Sequence, residues 1–127
     1  MQQQIETNNN KSGISLGIFL EGQLIGQINI SNIVYGPFLS CFLGYKLGEK
    51  FQGMGYMGEA LNKVIDIAFN QYKLHRIEAN IIPKNIKSIN VVERLNFVNE
   101  GLSKKYLKIN GQWQDHSHYV LLNNLLE

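Results

Sequence analysis

Between residues 14 and 31, large apolar and β-branched side chains alternate with small or polar ones on either side of Glu21-Gly22, a turn-forming pair. The pattern predicts a β-hairpin of residues 14–20 with 24–30. Gly36-Pro37 breaks the run, and a third strand is expected over residues 40–47. The period then changes, because Met57, Leu61, Val64, Ile65, Ala68 and Tyr72 recur at helical spacing while Asn62, Lys63, Asp66 and Asn70 fall elsewhere. That is an amphipathic helix. Residues 76–82 form a short β-rich run ended by Pro83, and residues 85–95 read as a helix closed by Asn96, which tolerates the left-handed cap conformation. Extended segments follow at 97–101 and 104–109, and Asn110-Gly111 supplies a tight hairpin turn into 112–122. The predicted order is β-β-β-α-β-α-β-β. Residues 1–13 carry one Ile among polar groups, so they are expected to form a tail ahead of a single domain over residues 14–127.

Composition narrows the class. A chain of 127 residues is one domain's worth, and 44% hydrophobic with 17% charged residues suits a globular core without disulfides. Cys41 stands alone, so the chain needs no oxidising compartment and a cytoplasmic location is expected. A formal charge of +2 is too small to announce nucleic acid or an anionic membrane as the partner. No apolar run approaches the roughly 20 residues of a spanning helix.

The segment richest in chemistry is Gln52-Gly53-Met54-Gly55-Tyr56-Met57-Gly58, between a predicted strand and a predicted helix. Glycines there let the backbone approach a ligand, while the first N–H groups of the helix point outward unpaired at the positive end of its dipole. Such a turn can cradle a phosphate or pyrophosphate, and a plain flexible connection is the competing reading. The glycines also spell the dinucleotide fingerprint, with Glu78 twenty residues after Gly58. That fingerprint opens from the first strand of a parallel sheet, whereas here a hairpin comes first and Glu78 sits inside its strand. The P-loop fails because no Lys-Ser or Lys-Thr follows the glycines.

Gln52 to Ala60 resembles the acetyl-CoA loop, Q/R-x-x-G-x-G/A, of the GNAT acyltransferase superfamily, with Met57 where Gly or Ala is commonest. The wording is closest to the ribosomal-protein alanine acetyltransferase branch, the RimJ/RimL type. Leu74-His75-Arg76-Ile77-Glu78-Ala79, Pro83-Lys84-Asn85 with Ser88, Leu95-Asn96-Phe97, Glu100-Gly101, residues 106–111, Trp113 and Asp115-His116 match in order. The resemblance implies an α/β (α+β) fold with a mixed, mostly antiparallel sheet and helices on both faces, lacking the usual first strand and first two helices. It implies that acetyl-CoA enters where the strand of residues 40–47 splays from that of residues 76–82. The pyrophosphate would take N–H groups from Gly53 to Gly58, and the pantetheine would pair with the backbone near Tyr45, Lys46 and Leu47, with Gln52, Asn85 and Ser88 beside it.

Acetyl transfer needs a neutral amine, donors for the oxyanion and a proton for the departing thiolate. The resemblance places Ser88 beside the CoA sulfur as the proton source. A hydroxyl capping a helix start is its plain structural reading. Where relatives carry a Tyr four residues later this chain has Val92, and where they carry a Glu five residues before the asparagine it has Asn80. Glu78, Tyr106 and Asp115 remain as candidate bases. Asp115 beside His116 suggests an acid–base pair, yet strand neighbours point to opposite faces, so a fold-holding hydrogen bond competes for both. His116 and His118 share a face, but no third metal ligand has convincing spacing and no metal is expected. Cys41, Trp113 and the tyrosines are expected to pack in the core.

The resemblance implies an acetyl-CoA-dependent N-acetyltransferase acting on a primary amine such as a protein N-terminus, by direct attack in a ternary complex. The alternative is a degenerate module that binds CoA or a protein partner without turnover, favoured by Asn96 in place of the usual Gly and by the missing base. A hairpin edge left unpaired would associate, so a homodimer is expected.

Overall fold

The computed structural model describes residues 3–9 and 13–127, with side chains from residue 13 onward. Among the described residues, seven strands form one sheet in the order β1-β2-β3-β4-β5-β7-β6. These are β1 (Gln3–Asn9), β2 (Gly13–Leu20), β3 (Gln23–Val34), β4 (Ser40–Leu47), β5 (Arg76–Ile81), β6 (Val98–Ile109) and β7 (Gln112–Leu122). Helix α1 (Tyr56–Asp66) joins β4 to β5, and α2 (Ile86–Arg94) joins β5 to β6. Among the described residues only β4 and β5 pair in parallel; every other neighbouring pair is antiparallel.

The turns form for local reasons. Glu21 and Gly22 both take left-handed conformations, as do Asn110 and Gly111, which is the geometry of two-residue hairpin turns. Asn96 has φ 70° and ends the chain's second helix as expected. Asn85 caps that helix, its Oδ1 accepting from Ser88 N–H at 3.3 Å. The first helix continues past Asp66 into a π-turn, Ile67–Gln71, so the apolar stripe that runs to Tyr72 is not one regular α-helix.

Residues 1–13 are not all tail. Gln3–Asn9 pairs antiparallel with β2, from Gln3 opposite Leu20 to Asn9 opposite Ile14. A polar strand needs no hydrophobic pattern when a neighbour supplies its backbone partners, which is why composition did not reveal it. The same pairing covers the hairpin edge, so the unpaired-edge argument for a homodimer loses its premise.

Register assigns the faces. Ile14, Leu16 and Ile18 of β2, Ile28 and Ile30 of β3, Cys41 and Leu43 of β4, and Ile77 and Ala79 of β5 lie on one face. They join Met57, Ala60, Leu61 and Val64 of α1 and Val92 of α2 in one buried cluster. Both helices therefore pack on the same face, where a distribution over both faces was expected. The two crossovers, β4 to β5 and β5 to β6, advance in the same direction along the sheet, and right-handed connections then place both helices on one side. The opposite face of β2, β3 and β4 presents Ser15, Gln27, Asn29 and Lys46, exposed or half-buried. Trp113 is another correction: at 59% exposed it is outside the core, whereas Tyr119 is inside it.

Candidate functional site

The parallel pairing of β4 with β5 lasts four residue pairs, Ser40 to Leu43 against Arg76 to Ala79. Both strands continue beyond it, β4 to Leu47 and β5 to Ile81, with no further pairing between them. A cavity of about 230 Å³ occupies the opening. Gly44 and Tyr45 line it from β4, Asn80 and Ile81 from β5, Ser88 from α2, and His116 from β7.

Three segments meet at this opening. Gln52 donates through Nε2 to the Leu47 carbonyl at 3.1 Å and accepts from Lys87 Nζ at 3.2 Å. One side chain thus ties the glycine loop to the end of β4 and to the first turn of α2. Tyr45 reaches across to the same turn, its hydroxyl donating to the Ser88 carbonyl at 2.7 Å. Burial pushes the Tyr45 phenol up to about 12, so it stays a donor at any physiological pH.

The loop takes the shape that its glycines permit. Gly53 and Gly55 have φ of 78° and 82°, where an L side chain is strained. Gly55 is also the N-cap of α1 and offers no side chain to satisfy the helix's first N–H groups. Met57 is 5% exposed and packs into the core, which accounts for a large side chain where the family pattern has a small one. Met54 is exposed, and Tyr56 lies half-buried with its ring 6.4 Å from that of Phe51.

The polar residues of β5, β6 and β7 gather on one face. Arg76 donates to Glu78 at 2.9 Å and to Glu100 at 2.8 Å. His118 is held from both nitrogens, with Nδ1 against Asn80 Oδ1 at 2.5 Å and Nε2 against Ser103 Oγ at 2.6 Å. Tyr106 sets its ring edge-on to His118 at 4.9 Å and tilted to His116 at 5.6 Å. His116 is 3% exposed, and its Nδ1 lies 3.0 Å from the Gln114 carbonyl.

Among the sequence candidates, the cavity brings together Tyr45, Asn85 and Ser88. Tyr106 stands behind His116, and Glu78 is paired with Arg76. Asp115 is occupied elsewhere: its Oδ1 accepts from the N–H of Lys105 at 2.9 Å, where Lys105 takes φ 50° and the β6–β7 register shifts. It holds a bulge. Lys46 points to the exposed face of the sheet, and the Leu47 carbonyl is taken by Gln52. Cys41 is buried and its thiol is pushed up to about 12 by burial, which makes it inert packing. The residue that sequence reasoning left out of the site is His116, weighed as a metal ligand and as an acid–base or fold-holding partner of Asp115. Its signal was parity, since His116 and His118 share the face of Ile109, which also lines the cavity. Among the described residues no cluster of three metal-ligating side chains occurs, and no helix is long and apolar enough to cross a membrane.

The family model for the acetyltransferase (GNAT) domain matches residues 1–98. The chain belongs to the GNAT acetyltransferases. Relatives of this GNAT chain include the ribosomal protein uS5 alanine N-acetyltransferase of Escherichia coli strain K12, 47% identical over 96 residues that make up 76% of this chain and 50% of that protein. The probable N-acetyltransferase YjcK of Bacillus subtilis strain 168 is 42% identical over 109 residues, 84% of this chain and 60% of its own length. Mycobacterium smegmatis RimJ, solved in complex with CoA-disulfide, superposes with a TM-score of 0.86 at 34% identity, covering 91% of this chain and 55% of RimJ. The chain therefore spans 50 to 60% of the length of these curated relatives.

Proposed function

We propose that this chain transfers an acetyl group from acetyl-CoA to a primary amine, the α-amine of a protein N-terminus, by direct attack in a ternary complex. The observation that carries the reading is the opening between β4 and β5 with Ser88 on its wall. Beyond Leu43 the edge of β4 facing β5 has no strand beside it, so an extended amide-bearing arm can add to the sheet there as a peptide would. The left-handed glycines and the uncapped start of α1 supply N–H groups for a pyrophosphate. The RimJ complex supports CoA as the occupant, and the uS5-alanine relative supports an N-terminal amine as the acceptor.

The chemistry follows from the groups at hand. The amine nitrogen forms a bond to the thioester carbonyl carbon, the C–S bond breaks, and the leaving sulfur takes a proton from Ser88, which recovers one from the new amide nitrogen. That hydroxyl hydrogen-bonds with the Tyr45 phenol on the same cavity wall and would exchange that partner for the sulfur. Acetyl-CoA at a hundredfold excess over its Kd should stabilise the fold by about 2.7 kcal/mol and raise Tm by roughly 10 °C, while NADH leaves Tm unchanged. Thiol release in the presence of a short peptide with a free N-terminal alanine then tests turnover. An absent shift refutes the reading; a shift without thiol release in any amine screen leaves a CoA-binding module.

A further inference from the structure

We propose that His116 is the base that removes the proton from the acceptor amine, an assignment that rests on the acetyl-transfer reading above. Three histidines are available, and their partners separate them. His75 lies on the surface with Nε2 against the Glu127 carboxylate at 2.8 Å. His118 has both nitrogens engaged, by Asn80 and by Ser103, with Glu78 Oε2 a further 3.6 Å neighbour of Nδ1. His116 alone combines burial, a place on the cavity wall and a nitrogen left over.

Its tautomer is fixed by chemistry. A carbonyl can only accept, so the contact with Gln114 requires the hydrogen on Nδ1, which donates. The neutral ring then carries its lone pair on Nε2, and no group among the described residues bonds to that atom. A buried imidazole nitrogen without a partner is costly unless a ligand supplies one. The amine is that ligand.

The ring's neighbours come from four elements. Tyr106 of β6 packs against it at 5.6 Å, Ser103 is its register partner, and His118 lies two residues along β7 on the same face. Asn80 lines the cavity from β5, and Tyr45 and Ser88 line it from β4 and α2. The carboxylate next in sequence, Asp115, projects to the other face and bonds to Lys105. Among the described residues no carboxylate or cation lies against the ring.

The proton balance closes with two groups. An incoming ammonium gives one proton to His116 Nε2 and becomes a nucleophile. After the C–N bond forms, the C–S bond breaks and the nitrogen's second proton passes to the Ser88 hydroxyl as Ser88 gives its own proton to the sulfur; His116 then returns its proton to solvent. The products are amide, thiol and one proton. Ser88 and His116 thus divide the acid and base roles between α2 and β7.

The test uses the full chain, acetyl-CoA and the N-terminal alanine peptide, with kcat/KM measured against pH. In the parent protein the rate should fall on the acid side as His116 takes up a proton. His116→Gln should cost on the order of 10² to 10⁴ in kcat/KM, abolish that acid limb, and leave the acetyl-CoA thermal shift in place. His118→Gln should keep the acid limb. A parent protein that binds acetyl-CoA and turns over without an acid limb overturns the assignment while leaving acetyl transfer intact. So does a His116→Gln variant at full rate. Loss of thermal shift and turnover in the parent overturns the acetyl-transfer reading first. Should His116→Gln fail to fold, the parent profile together with His118→Gln still decides the matter.

Discussion

On the β4 side the opening is bounded by backbone: a strand edge unpaired beyond Leu43, followed in the chain by two left-handed glycines and a helix start with no side-chain cap. On the β5–β7 side it is bounded by side chains: His116 with a free nitrogen, His118 locked at both ends, and an Arg76–Glu78–Glu100 network behind them. The first wall tolerates almost any side chains that keep the backbone in shape. The second depends on individual atoms and on strand register. A cosubstrate bound chiefly through amides and phosphates suits the first, and a proton-transfer step suits the second.

The strongest way to break the backbone wall is Gly55→Asp. It places a Cβ at φ 82°, at a cost of about 1–2 kcal/mol, and a negative charge at the helix start. The acetyl-CoA thermal shift should vanish, and a full shift would remove the loop from the site. Ser88→Ala comes next and tests the meeting point of the two walls: turnover should fall on the order of 10² to 10⁴ with CoA affinity changed only a few-fold. Unchanged turnover would return Ser88 to a structural role.

A third experiment asks whether the β4 wall stands on a dry core. Burial raises Cys41 from 9.0, and Tyr45 from 10.0, each to about 12. Both groups ionise in the unfolded chain first, so the stabilisation is complete below pH 9 and is lost as pH rises toward 12. Urea melts at stepped pH should show stability falling across that window by a few kcal/mol in order of magnitude, and Cys41→Ala should remove the part that begins near pH 9. A flat profile would mean a wetter interior.

The smallest effect belongs to Gly58→Ala. A Cβ there meets nothing within 4 Å, so the free protein should gain about 0.5–1 kcal/mol and a few degrees in Tm. Its acetyl-CoA shift should shrink, because a methyl group now stands in the helix's first turn. A larger shift would show that the ligand does not approach α1 there.

What could be read from the sequence was whatever local chemistry decides. The strand at Ser40–Leu47 matched its expected bounds, as did β7 after Asn110-Gly111, and Asn96 took the cap geometry anticipated for it. The glycine loop was visible because φ preference is a property of single residues. β1 was invisible because its partner makes it a strand. His116 was visible as a histidine but not as a site residue. Its burial and its place on the cavity wall depend on how β7 registers against β5 and β6, which no local pattern encodes. Trp113 misled for the opposite reason, since a large aromatic on a strand suggests burial that the solvent-facing end of the β6–β7 ribbon does not provide.

The four-pair join between β4 and β5 makes the sheet two plates held by a short seam. β1 to β4 form one antiparallel plate, and β5 to β7 the other. Any extended molecule that lies along β4 past Leu43 lengthens that seam from within and becomes a structural member of the sheet while it stays. Amide hydrogen exchange should therefore slow at residues 44–47 and 80–81 when the cleft is filled, and the two plates should unfold at a common denaturant concentration only in that filled state.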